Sequence, residues 1–255
     1  MLMRRNVSII LLIIGLLLIL RFIIAGVLFH RICAFGNPTL TRLCIILGSN
    51  VNFRDNTGIT PLMGTVYFND DPGVAKVLID AGAEANTEDN EEMTPLMWAA
   101  IGSNNPEILE LLIENGSEVN AENNNGITPL MWAASKNNNP EIIELLIENG
   151  ARVNLKDIDG MTSLTYAAEK SNKPEVIRIL IENGAEINIK DKDGYTPLMY
   201  AVNNNSNPEI ISTLLDYGAD PNIKDNSGQM AINYIKNNPE LQGTAIHQRL
   251  KDVSY

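Results

Sequence analysis

SNNPEILELLIENGSEVN at residues 103–120 returns as NNNPEIIELLIENGARVN at 137–154, 34 positions further on. The pair belongs to a longer series. Pro38, Pro72, Pro106, Pro140, Pro174 and Pro208 keep the same step, as do Gly48, Gly82, Gly116, Gly150, Gly184 and Gly218. Asn52, Asn86, Asn120, Asn154, Asn188 and Asn222 form a third column. A unit of this length cannot bury its apolar faces alone, so fixed repetition predicts a solenoid whose core grows as units stack.

One unit shows what is stacked. Thr128 is placed to N-cap an inner helix, with Pro129 at the first helical position, where its missing N–H is harmless. Ala133 and Ala134 let neighbouring helices approach closely, and Asn137–Asn139 form the turn. Asn139 then caps a second helix, followed by Pro140, and Glu141 meets the positive end of its dipole. Ile142, Ile143, Leu145, Leu146 and Ile147 supply the apolar side, and Gly150 a left-handed C-cap. Gly160 serves the following turn with positive φ. The second-helix cap column reads Asn37, Asp71, Asn105, Asn139, Lys173 and Asn207; only Lys173 has no short capping side chain.

A period of 34 is also the length of a tetratricopeptide unit, but the spaced Trp, Leu-Gly and Tyr of that pattern are missing. Instead the chain reads MTPLMWAA at 93–100, ITPLMWAA at 127–134 and YTPLMYAV at 195–202. Each is followed by PEIIELLIENG-like text and a turn such as GAEINIKDKDG at 184–194. This pattern resembles the ankyrin repeat across residues 37–255. The resemblance implies an all-α solenoid of helix-turn-helix units joined by β-hairpin-like turns. A partial unit covers 37–54, units start near 55, 89, 123, 157 and 191, and a polar C-terminal cap covers 225–255. Two departures stand out. Met63, Met97, Met131 and Met199, with Thr165, replace the His of the family's T-P-L-H motif, and the turn between the helices carries one extra residue.

Residues 1–36 are different in kind. Positions 7–29 are apolar apart from Ser8, Arg21 and small residues. As a helix, 23 residues reach about 35 Å, against a hydrocarbon core of about 30 Å. Arg21 costs about 2.5–3.5 kcal/mol to insert, and eighteen Leu, Ile, Val and Phe outweigh it. A single-pass membrane anchor is the leading expectation, with the repeats on the non-cytoplasmic side. A cleaved signal peptide, giving a secreted or periplasmic protein, is the alternative: Arg4 and Arg5 precede an apolar run, although no small-residue cleavage site follows Leu20 promptly. Residues 26–35 also read as the inner helix of the first repeat, alone or continuous with the anchor.

Charge excludes some partners. The net charge of −12 hides four lone arginines before residue 37, beyond which 31 acids face 15 bases. Such a surface repels nucleic-acid phosphates. Cys33 and Cys44 lack metal-ligand spacing but could form one bridge. His30 and His247 join no nucleophile or metal set, so neither catalysis, a metal nor a cofactor is expected. Asp157-Ile158-Asp159-Gly160 and Asp191-Lys192-Asp193-Gly194 lack the remaining ligands of a calcium loop.

The expected function is protein binding by a membrane-tethered scaffold, with an unidentified protein as partner and no small-molecule substrate. Resemblance to ankyrin proteins points to the turn tips and inner helices of the concave side. Those positions are Ile59, Asn90, Glu91, Met93, Asn124, Asn125, Ile127, Ile158, Asp159, Met161, Lys192, Asp193 and Tyr195, with Ile101, Ser135, Glu169 and Asn203 further along the helices. Ile59, Met93, Ile127, Met161 and Tyr195 would make an apolar ladder with a polar rim, as an interface requires, unless they pack against neighbouring turns. Trp98, Trp132, Tyr166 and Tyr200 form an aromatic column that either fills the core or binds a ligand. Glu92, where the turn expects Gly, predicts a strained or rebuilt turn.

Overall fold

A computed structural model describes residues 28–137 and 139–253. The apolar run assigned above to an anchor or signal therefore lies outside the described residues as far as Val27. No helix among the described residues is long and apolar enough to cross a membrane.

The described residues form seven helical pairs stacked side by side. They are α1 (Phe29–Phe35) with α2 (Pro38–Ile46), α3 (Pro61–Phe68) with α4 (Pro72–Asp80), and α5 (Pro95–Gly102) with α6 (Pro106–Glu114). Next come α7 (Pro129–Lys136) with α8 (Pro140–Glu148), α9 (Ser163–Lys170) with α10 (Pro174–Glu182), and α11 (Pro197–Asn204) with α12 (Pro208–Asp216). The last pair is a 3-10 helix (Ala231–Asn237) with α13 (Ala245–Val253), joined through a 3-10 turn at Pro239–Leu241. The odd-numbered helices α1–α11 and the first 3-10 helix form an inner row, and the rest an outer row.

The stack starts inside the segment set apart as residues 1–36. Phe29 and Cys33 of α1 are fully buried against the next unit. Leu28 and Phe29, counted at the end of the apolar run, thus belong to the solenoid. Residues 7–27 remain for any membrane segment, about 31 Å as a helix.

Capping follows the columns. Thr60, Thr94, Thr128, Thr162 and Thr196 each accept the amide three residues on. In the outer row Asp71, Asn105, Asn139 and Asn207 accept the amide two residues on, and Asn37 the amide three on. Lys173 makes no side-chain cap. The methionines that replace His keep a contact there: the sulfurs of Met63, Met131 and Met199 accept the amide N–H of their cap threonines, at 3.3–3.5 Å. Sulfur is a weak acceptor, so burial carries most of their worth.

The Asn column is what joins the units. Asn120 Nδ2 donates to the Gly150 carbonyl at 2.9 Å while its Oδ1 accepts from the Arg152 amide at 2.8 Å. Asn52, Asn86, Asn154 and Asn188 repeat both contacts one unit on. Each side chain thereby satisfies backbone groups that the helix end of the next unit leaves free. Both cysteines are free and buried. Burial pushes the Cys33 thiol up to about 12, against a smaller opposing hydrogen bond with Thr41.

Candidate interaction surface

The concave side is built from the turn tips and the exposed flank of the inner helices. Each tip is closed by an acid or amide. Asp157 Oδ1 accepts the amides of Asp159 and Met161, both at 2.9 Å. Asp55, Asp89, Asn123, Asp191 and Asp225 do the same in their units. No strand occurs among the described residues, so the hairpin-like turns are these Asx-closed loops. Successive tips are linked by backbone bonds, such as Lys192 N–H to the Asp159 carbonyl at 2.9 Å. Gly160, at φ 86°, fits with Asp191 Cα only 3.2 Å from where a Cβ would sit.

The second carboxylate oxygen reaches the inner helix nine residues on. Asp89 Oδ2 accepts from Trp98 Nε1 at 3.1 Å, and Asp157 and Asp191 accept the hydroxyls of Tyr166 and Tyr200 at 2.7 Å. Tyr234 donates likewise to Asp225. The aromatic column therefore ties these four tips to their helices. In the third full unit Asn123 replaces the acid, and its Nδ2 turns to Met93 Sδ. Trp132 Nε1 is left buried without a hydrogen-bond partner. Burial, followed by the Asp acceptors, holds the phenols of Tyr166 and Tyr200 above their ordinary range.

Asn90, Glu91, Asn124, Asn125, Ile158, Asp159, Lys192 and Asp193 are exposed at the tips. Ile59, Ile101, Glu169, Tyr195 and Asn203 are half-buried, and Ser135 is buried. The expected apolar ladder is mostly inside: Met93 is 3 % exposed, Ile127 and Met161 9 % each. The closing bond of each turn, for example Asp89 N–H to the Met93 carbonyl, folds this residue back beneath the next tip. A polar ridge remains. Glu92 keeps the left-handed conformation at φ 59° without rebuilding the turn, and the Asn124 amide nitrogen stands 2.8 Å from its carboxylate.

The apolar part of the surface lies elsewhere. Gly64 occupies the aromatic column one step before Trp98, and a Cβ there would meet only Ala34 Cβ, at 4.0 Å. The missing ring leaves a depression of about 160 Å³ walled by Ile59, Met63, Tyr67, Phe68 and Trp98. Tyr67 stacks edge-on against both Phe68 and Trp98, and Phe68 is exposed. Sequence reasoning passed over Gly64, Tyr67 and Phe68. The available signal was the gap at Gly64 in a column otherwise filled by rings.

The family model described as "Ankyrin repeats (3 copies)" matches residues 29–123, 100–191 and 130–225. The chain belongs to the ankyrin-repeat family. Among solved structures, the crystal structure of the human ASB11 ankyrin repeat domain superposes with a TM-score of 0.74 at 24 % identity. The likeness covers 88 % of this chain and 96 % of that one, and it speaks for the fold. No curated protein sequence matches the chain. Ankyrin repeats imply a scaffold for protein–protein interaction, and such proteins are typically non-enzymatic. Among the described residues no three His, Cys, Asp or Glu side chains could together hold a metal ion.

Proposed function

We propose that this protein is a membrane-tethered ankyrin scaffold that holds a partner protein on its concave side. The observation that carries the reading is the Gly64 depression beside the ridge of exposed tips. An apolar socket flanked by a hydrogen-bonding surface is the arrangement of a protein interface with one dominant anchor. The partner supplies a large apolar side chain to the socket, and Glu91, Asn125, Asp159 and Lys192 set its register along the ridge. Residues 7–27 serve as the anchor, and its flanks, Arg4 and Arg5 against Arg31 and Arg42, balance under the positive-inside rule.

Capture from solubilised membranes tests the site, using the full chain beside Gly64→Trp and Phe68→Ala. A concave-side partner co-purifies stoichiometrically with the parent chain and is lost from both variants. Equal recovery from all three would move binding off this face. A carbonate wash followed by protease added from each side of sealed membranes tests the tether. Release into the soluble fraction would refute it.

A further inference from the structure

The two ends of the solenoid are chemically unlike. At the C-terminal end, α13 exposes Gln248, Lys251 and Asp252, and Arg249 pairs with Asp216 at 2.7 Å. That is the polar cap a stack needs to stop in water. The N-terminal end has no such cap. Leu28 stands in the column of Leu62, Leu96, Leu130, Leu164 and Leu198, which are all buried, yet it is 40 % exposed. Leu40 heads the column of Val74, Ile108, Ile142, Val176 and Ile210, all fully buried, and is 47 % exposed.

Two further columns change residue type in this unit. Asn69, Asn137 and Asn205 each donate to two backbone carbonyls of the unit before them. Phe35 takes that position in the first unit, where it cannot donate, and is 67 % exposed. Ile46, 80 % exposed, heads a column otherwise occupied by Asp80, Glu114, Glu148, Glu182 and Asp216. The first unit thus carries apolar side chains at positions that elsewhere bond to a preceding unit or face water. The repeat does not continue upstream: one period before Pro38, Gly48 and Asn52 stand Arg4, Ile14 and Leu18.

Charge separates along the same axis. Residues 1–54 hold six arginines and no acid, so all 31 acidic side chains lie beyond them. Arg31 lines a groove on the end face with Leu28, Ile32, Phe35 and Leu40, and Arg42 lies beside Ile46. Arg42 and Ile46 share their groove with Val77, Asp80 and Ala81 of α4, on the outer flank of the first two units, and Asp80 is paired with Lys76 at 3.2 Å.

We propose that the first unit docks on the interface of an anionic lipid bilayer through Leu28, Phe35, Leu40 and the exposed Leu43 with Arg31, and through Ile46 and Arg42 on the adjoining outer flank. The apolar side chains enter the headgroup boundary and the guanidinium groups meet lipid phosphates. The acidic remainder of the solenoid is repelled and stands away from the surface. A second copy or a protein cap would also cover an apolar face, but neither accounts for the net positive charge that only this end carries. The proposal deepens the tether reading and takes from it that the face lies close to a bilayer.

The test uses the full chain reconstituted in phosphatidylcholine vesicles, with and without phosphatidylserine, and a fluorophore on Ile46→Cys or, as control, Asp216→Cys. Cys33 and Cys44 are buried and stay unlabelled in the folded chain. Spin-labelled lipid should quench the probe at 46 at least several-fold more than at 216. Phosphatidylserine should strengthen the quenching, and Arg31→Glu with Arg42→Glu should remove it. Carbonate-resistant chain with equal, weak quenching at both sites would leave the tether standing and overturn the docking. Carbonate-released chain with the same weak quenching would overturn both. Quenching at 46 on carbonate-released chain would support docking without the tether. Shielding of the probe in lipid-free detergent, scaling with protein concentration, would assign the face to a second copy and overturn the proposal.

Discussion

Glu92 is the one non-glycine residue with positive φ among the described residues. An L side chain in that region costs about 1–2 kcal/mol, and its contact with Asn124 is exposed and returns little. Glu92→Gly should therefore stabilise the fold by about 1 kcal/mol, visible as a higher urea midpoint at unchanged slope. A lower midpoint would mean that the Asn124 contact outweighs the strain. The orphaned Trp132 Nε1 gives a second residue-scale prediction. Asn123→Asp supplies the acceptor that Asp89 gives Trp98, and satisfying a buried donor is worth about 1 kcal/mol. The variant should be more stable, with a shift in Trp fluorescence; loss of stability would show that burying the new charge costs more than the bond returns. The cap threonines, the outer-row caps and the uncapped Lys173 were all legible in the sequence, because caps depend on residues two or three positions apart. The cover over Met93 was not. It depends on how the next unit's turn closes above it.

At the level of the element, four units close through the bond between a tip acid, Asp89, Asp157, Asp191 or Asp225, and an aromatic ring nine residues later. This linkage gives stability a definite pH dependence. Burial and the Asp acceptors raise the phenols of Tyr166, Tyr200 and Tyr234 above their ordinary value of 10.0. Above that value the folded chain retains protons that the unfolded chain releases, so stability must fall as pH rises. Cys33, raised to about 12 by burial, adds a loss of the same sign from 9.0 upward. At the acid end the signs reverse. Burial opposes ionisation of Asp55 and Asp225, but hydrogen bonds from Thr57 and Ile59, and from Tyr234, Gln229 and Ser227, outweigh it and hold both below 3.8. Their contribution is complete above that value and is lost as pH falls through the folded ones. Urea midpoints should thus drop from about pH 9 upward, and the drop should shrink in a triple Tyr→Phe variant at 166, 200 and 234. An unchanged slope in that variant would exclude the phenols as its source. The nine-residue spacing could have been read from the sequence. Gly64 could also have been seen as a gap, but Tyr67 meets Trp98 to wall it only once α3 and α5 stack.

For the whole molecule, cohesion passes from neighbour to neighbour: the main helix contacts among the described residues run within a unit or between adjacent units. Asn120 sits near the middle and makes two of these junction bonds. Asn120→Ala should remove about 2 kcal/mol of coupling and divide a single urea transition into two, as expected of a linear array with one weak interface. One unbroken transition with a small shift would show that apolar stacking carries the coupling instead. The Pro, Gly and Asn columns, with their fixed step of 34 residues, were legible in the sequence. The contrast between the two ends was not, since it lies in which columns lose their neighbours at Leu28 and Leu40.

The Asn junctions also have a mechanical meaning. In a chain held at one end and loaded at the other, tension passes through each junction in series, so the structure behaves as a row of similar clasps rather than as one knot. Releasing one clasp frees a unit of 34 residues, about 120 Å when extended. The molecule would lengthen under load in near-equal steps, its reach set by how many clasps have opened.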